Sequence, residues 1–156
     1  MRRAKPEKRE ILPDIRYHSI TIQTMIHHML HRGKKSTATS VMYATLDILR
    51  ERSGGKDPVE IFDSAMRNVS PAMEVRPRRV GGATFQVPME IRSDRKVSIS
   101  MKNLISFARK RTGHSMAERL AAEVMAAYNQ EGGAFKRKED THRMAEANKA
   151  FAHFRF

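Results

Sequence analysis

No cysteine occurs among the 156 residues. Disulfide scaffolds, thiol catalysis, iron–sulfur clusters and cysteine-based zinc sites are therefore excluded. Long apolar runs are also missing: none approaches the roughly 20 residues that a membrane-spanning helix needs. No compact Ser–His–Asp constellation, glycine-rich dinucleotide fingerprint or two-carboxylate metal pattern occurs, so no enzyme, metal or cofactor is expected. Acid is scarce relative to base, with 17 Asp and Glu against 30 Lys and Arg and a net charge of +13. The opening Met1-Arg-Arg-Ala-Lys-Pro-Glu-Lys-Arg-Glu10 lacks the apolar stretch of a secretory signal, and Glu7 and Glu10 argue against an organelle transit peptide. What is there suits one domain: 40% hydrophobic residues, enough for a modest core in a chain that buries about 70% of its unfolded surface on folding. A charge of this size favours polyanionic partners.

The excess charge comes in blocks. Residues 1–35 carry a net +6, residues 71–111 carry +7 and residues 136–156 carry +3, while residues 36–70 and 112–135 are slightly acidic. A merely solvated surface mixes the signs more evenly. Three basic blocks brought together by folding make one positive face, the footprint of a nucleic-acid binder.

Apolar spacing predicts helices interrupted once. Ile22, Met25, Ile26, Met29 and Leu30 recur at helical spacing up to Gly33. Ser36 is expected to cap a second helix with the inward stripe Ala38, Val41, Met42, Leu46 and Leu49, stopped at Ser53-Gly54-Gly55. Asp57-Pro58-Val59-Glu60 combines a cap, a first-turn proline and a first-turn acid, and Phe62, Ala65, Met66 and Val69 carry that third helix to Ser70-Pro71. A fourth helix is expected from Asp94, with Val97, Met101, Leu104, Ile105 and Ala108 facing inward, ending at Arg109-Lys110-Arg111 where the macrodipole favours cations. Ser115-Met-Ala-Glu118 opens a fifth, with Leu120, Ala121, Val124 and Ala127 inward and Gly132-Gly133 as its end. A weakly amphipathic sixth is expected from Lys136 to about Ala152, with Met144, Ala147 and Phe151 as its thin inward set. Met25, Met29, Met42, Met66, Met101 and Met125 read as core filling.

Between the third and fourth helices the period drops to two. Met73 and Val75 alternate with Glu74 and Arg76, and Phe85, Val87, Met89 and Ile91 alternate with Gln86, Pro88 and Glu90. Gly81-Gly82 fits the reversal, since glycine accepts positive φ. Pro77 and Pro88 cannot donate to a ladder, which a two-stranded ribbon tolerates. The fold class is therefore mainly α: a six-helix, bundle-like domain with a protruding two-stranded β-hairpin at residues 72–92, a basic N-terminal arm at 1–18 and a polar C-terminal helix and tail at 136–156.

Gly33-Lys34-Lys35-Ser36 looks like the end of a phosphate-binding loop, but His28 stands where the earlier glycine is required, Lys35 where Ser or Thr is required, and a helix precedes it. His27 and His31 stand at i, i+4 without an adjacent carboxylate to complete a metal site. Glu139-Asp140 beside His142 reads as a solvated ion-pair network rather than acid–base machinery. Two places favour nucleic-acid contact on their residues alone. Arg78-Arg79-Val80-Gly81-Gly82 puts charge on a ribbon beside backbone that can approach a ligand, and Gly33–Ser36 puts donors at a helix N-terminus. The dispersed basic blocks suit folded RNA, which is bound by shape at many points, better than a DNA groove reader. A DNA-binding or architectural protein using the same charge stays open at this point.

Met73-Glu-Val-Arg-Pro-Arg-Arg-Val-Gly-Gly-Ala-Thr-Phe-Gln-Val-Pro-Met-Glu-Ile91 resembles the hairpin of bacterial-type small-subunit ribosomal protein seven. Lys136-Arg-Lys-Glu-Asp-Thr-His-Arg-Met-Ala-Glu-Ala-Asn-Lys-Ala-Phe-Ala-His-Phe-Arg155 resembles that family's C-terminal signature. Gly33–Ser36 and the opening arm with Leu12-Pro13-Asp14 are similar to its start, so the resemblance covers essentially the whole chain. It implies a structural constituent of the small ribosomal subunit that binds the 3′ major domain of 16S-type rRNA and nucleates assembly of the head. It places the protein near the exit-site tRNA and the mRNA path, with small-subunit proteins nine and eleven as neighbours. It also implies a cytoplasmic, ribosome-bound location, an organellar ribosome remaining open. Carried over by position, Arg2, Arg3, Lys5, Arg32, Lys34, Lys35, Ser36, Arg76, Arg78, Arg79, Arg92, Arg95, Lys96, Arg109 and Arg111 are RNA-contact candidates. Gly81, Gly82, Phe85, Lys136, Arg137, His142 and Arg143 are candidates for proximity to tRNA, mRNA or a neighbouring protein.

Overall fold

The computed structural model describes residues 9–154. Six α-helices and one hairpin follow in chain order: α1 Ile20–Met29, α2 Lys35–Arg52, α3 Pro58–Val69, β1 Met73–Val80, β2 Ala83–Glu90, α4 Ser93–Lys110, α5 Met116–Tyr128 and α6 Gly132–Ala147, with a 3-10 helix at Lys149–Phe154. The start signals act as local chemistry dictates. The Ser19 hydroxyl accepts from the Ile22 amide, the Asp57 carboxylate from Val59 and the Ser115 hydroxyl from Glu118, each supplying one acceptor to the orphan donors of a first turn. Before α1, Asp14 is buried and its carboxylate accepts from the Arg16 and Tyr17 amides and the Tyr43 hydroxyl at 2.7–3.0 Å. That network ties the N-terminal turn to α2.

α5 packs against α2, α3, α4 and α6, and α1 packs against α2 and α4. The alanines of α5 explain the arrangement: Ala117, Ala121 and Ala127 are buried, and small side chains let neighbouring backbones approach. Around them lie Ile22, Met25, Ile26, Met42, Leu46, Leu49, Phe62, Val69, Met101, Leu104 and Leu120, all fully buried and each contributing about 1.5–3 kcal/mol of transfer free energy. Thr45 is also buried, its hydroxyl donating to the Val41 carbonyl at 2.7 Å.

Several sequence expectations are corrected. Ser36 lies inside the first turn of α2, whose N-cap is Lys34 with no side-chain cap. α4 likewise starts one residue before Asp94, with Arg92 at the cap. Gly132-Gly133 opens α6 instead of ending α5. The glycines are needed because the helix start is pressed onto its neighbours: a Cβ on Gly133 would lie 2.4 Å from Phe107 Cδ1. The inward residues of α6 are Ala134 and Ala145, whereas Met144 and Ala147 are exposed, and Val97 on α4 is exposed as well. With so little apolar surface on α6, which neighbour it meets decides its orientation.

The strands pair antiparallel, Arg76 opposite Val87 and Arg78 opposite Phe85, and the turn is made at Gly81 and Gly82 with φ of 56° and 86°. The hairpin does not stand alone. Its base packs on α6, and Phe85 meets Phe151 and Phe154 of the 3-10 helix at centroid distances of 5.3 and 5.0 Å.

Candidate nucleic-acid interface

Arg32 and Gly33 both adopt positive φ, 52° and 76°, and this double left-handed turn swings the chain from α1 into α2. Arg32, Lys34, Lys35 and Ser36 are all exposed there. Among the described residues the start of α2 has no side-chain cap, and while the Lys34 and Lys35 amides are taken by the His31 and Gly33 carbonyls, exposed lysines beside an uncapped helix start are an arrangement suited to phosphate. The C-terminal half of α4 lies alongside. A hollow of about 250 Å³ is lined by His31, Lys34, Thr37, Val41 and Arg109 among others, and a second of about 340 Å³ by His28, Lys102, Ile105, Ser106, Arg109 and Lys110. Arg109 lines both, so residues distant in sequence meet on one basic face with no carboxylate among the described residues of either lining. Burial, then the charge of Lys102 and the neighbouring His27, hold the His28 imidazole below its ordinary range.

The RNA-contact candidates carried over by position omit Lys102 and Lys110, although Lys110 stands in the basic run Arg109-Lys110-Arg111. Their signal was the helical spacing of Lys102, Ser106, Arg109 and Lys110, which places all four on adjoining rows of α4.

Alternation along β1 puts Arg76 and Arg78 on the side of Phe85 and Val87, and Arg79 on the other side with Thr84. Arg78, Arg79, Gly81 and Gly82 are exposed, and among the described residues neither arginine has a carboxylate partner. Arg76 differs. Its guanidinium and that of Arg95 share the Glu74 carboxylate, Arg95 making contacts of 2.9–3.1 Å. Burial pushes the Glu74 carboxyl up, but Arg95 and Arg76 outweigh it and hold the group below its ordinary range. Two cations on one anion still leave a net positive cluster, fixed in place at the root of the hairpin. Arg95 and Arg137 line a groove of about 580 Å³ between the hairpin, α4 and α6.

Other candidates are engaged inside the protein. Arg111 pairs with Glu123, a carboxylate 1% exposed, so its charge is largely offset. His142 Nε2 accepts the Ala72 amide at 2.9 Å and joins α6 to the hairpin root. Phe85 is half-buried against the 3-10 helix. Arg143 has Asp140 at 4.0 Å. Arg92, Lys136 and Arg137 are exposed, and Lys96 is half-buried. Arg2, Arg3 and Lys5 lie outside the described residues. Among the described residues no three His, Asp or Glu side chains converge as a metal site, and no helix is long and apolar enough to cross a membrane.

The sequence profile of the family described as Ribosomal protein S7p/S5e matches residues 1–149. Small ribosomal subunit protein uS7 of Bacteroides fragilis is 58% identical to this chain and that of Porphyromonas gingivalis 56%, each over 158 aligned residues covering 100% of both partners. The protein of the same name from Caldanaerobacter subterraneus is 52% identical over 155 residues, 99% of each chain.

Proposed function

The chain belongs to the ribosomal protein S7p/S5e family, a structural, non-enzymatic component of the ribosome, and from that membership we propose that it binds the 3′ major domain of small-subunit rRNA and nucleates folding of the subunit head. The observation that carries the reading is the pair of adjoining hollows, one lined by Lys34 of the α1–α2 turn, the other by Lys102 and Lys110 of α4, and both by Arg109, with no carboxylate among their described lining residues. Such a face neutralises phosphates without demanding a base sequence. The hairpin, whose Arg78 and Arg79 have no carboxylate partner among the described residues, and the exposed Lys136 and Arg137 of α6 form a second contact region, directed in this reading toward exit-site tRNA, the mRNA path and small-subunit proteins nine and eleven. The bound state is cytoplasmic and ribosomal.

Competition binding tests this directly. A transcript of the 3′ major domain is expected to displace duplex DNA of equal length at physiological salt, and the protein is expected to co-sediment with small subunits. Equal or tighter binding to the duplex overturns the assignment and favours an architectural DNA binder.

A further inference from the structure

On this face the His28 ring is set among cations in a hollow. It lies on α1 opposite Lys102, Ser106, Arg109 and Lys110 of α4. On its own helix His27 is held by Gln23 at 2.9 Å, and His31 lines the adjoining hollow with Lys34. From α2 that adjoining hollow receives Thr37, Ala38 and Val41, none of them charged. Among the described residues no acidic side chain lines either hollow. A proton on His28 therefore meets only like charge and partial burial, and the free protein disfavours it.

An anion reverses that balance. A phosphodiester seated among Lys102, Arg109 and Lys110 brings negative charge into the same space, with the Ser106 hydroxyl as a further donor, and a charged imidazole then becomes favourable. We propose that the hollow between α1 and α4 is a proton-linked phosphate site, where His28 takes a proton from solvent as an RNA phosphodiester enters. The inference rests on the RNA-binding reading above and adds a regulation to it: affinity at this site depends on pH. The sign is set by linkage. If the bound complex holds more protons than the free protein, binding tightens as pH falls through the bound-state midpoint of His28 and levels off below its free-state midpoint.

The test measures affinity for a 3′ major-domain transcript at about pH 8 and about pH 6 for the wild type, His28→Gln and His28→Lys. Each unit by which RNA raises the His28 midpoint allows about tenfold, so the wild type is expected to tighten roughly three- to tenfold toward the lower pH. His28→Gln loses that gain. His28→Lys, permanently charged, binds at both pH values about as tightly as the wild type does at the lower one. A His28→Gln protein that keeps the full wild-type pH response overturns the proposal. Failure of all three proteins to bind the transcript at either pH overturns the RNA reading instead. Should a variant not fold, the His28 ring resonance of the wild type decides: its titration midpoint rises when RNA is added, and an unmoved midpoint overturns the proposal.

Discussion

Glu123 divides its carboxylate between the Arg111 guanidinium and the Ala134 amide, accepting the latter at 2.8 Å. One buried side chain of α5 thus caps α6 and anchors the end of α4. Because Arg111 keeps partial solvent access, Glu123→Ala is expected to cost about 2–3 kcal/mol, near the lower end for an orphaned pair, read as a lowered urea midpoint. Asp14 and Glu74 make the acid limb of stability. Burial raises the Asp14 carboxyl, but the Tyr43 hydroxyl and the amides of Tyr17 and Arg16 outweigh it, so its folded value lies below the ordinary 3.8, as that of Glu74 lies below 4.5. Their stabilisation is complete above those ordinary values and disappears as pH falls through the lower folded ones. Thermal unfolding followed downward from pH 5 is expected to show this loss, and Asp14→Asn to flatten part of it. Neither role was readable beforehand, since Asp14 stood in a turn motif and Glu123 stood among alanines, each without a visible partner.

α6 shows how an element with little apolar surface finds its place. Its start is set by Glu123, its middle by Lys138 donating to the Asn68 carbonyl at 2.8 Å, and its later turns by His142 accepting the Ala72 amide. These polar ties do what a hydrophobic stripe does for α3. Gly133 belongs to the same design: Gly133→Ala places a methyl group against the Phe107 ring, and the overpacking is expected to cost about 1–3 kcal/mol, measured as a shift in denaturation midpoint at unchanged helix content. The hairpin is held in a related way, its root by Glu74 and its outer half by the aromatic contact of Phe85 with Phe151 and Phe154. An element that is only weakly amphipathic takes its orientation from neighbours far along the chain, which is why periodicity alone misassigned both the start and the inward face of α6.

At the scale of the molecule, charge separates into spent and unspent cations. Arg76, Arg95 and Arg111 lean on carboxylates, while the face of Lys34, Lys102, Arg109 and Lys110 and the exposed Arg78 and Arg79 are open to a polyanion. With about six phosphates neutralised, affinity for the rRNA transcript is expected to fall about 10³-fold between about 50 and 200 mM salt. Replacing Arg78 and Arg79 by alanine is expected to leave the circular dichroism of the helical body unchanged, and to lower the salt slope by about 0.9 for each phosphate contact removed. Unfolding of that double variant would show instead that the ribbon carries the fold.

The starts of α3 and α5, the place and turn of the hairpin and the basic character of the molecule were legible in the chain because each depends on near neighbours: capping side chains two or three residues from their amides, glycine pairs at a reversal, and stripes that repeat every three to four or every two residues. The pairing of Arg111 with Glu123, the sharing of Glu74 by Arg76 and Arg95, and the meeting of His28 with Lys102 were decided only by packing. Each joins helices or strands whose relative placement depends on the whole core, and an arginine in a sequence looks the same whether it faces solvent or a buried carboxylate.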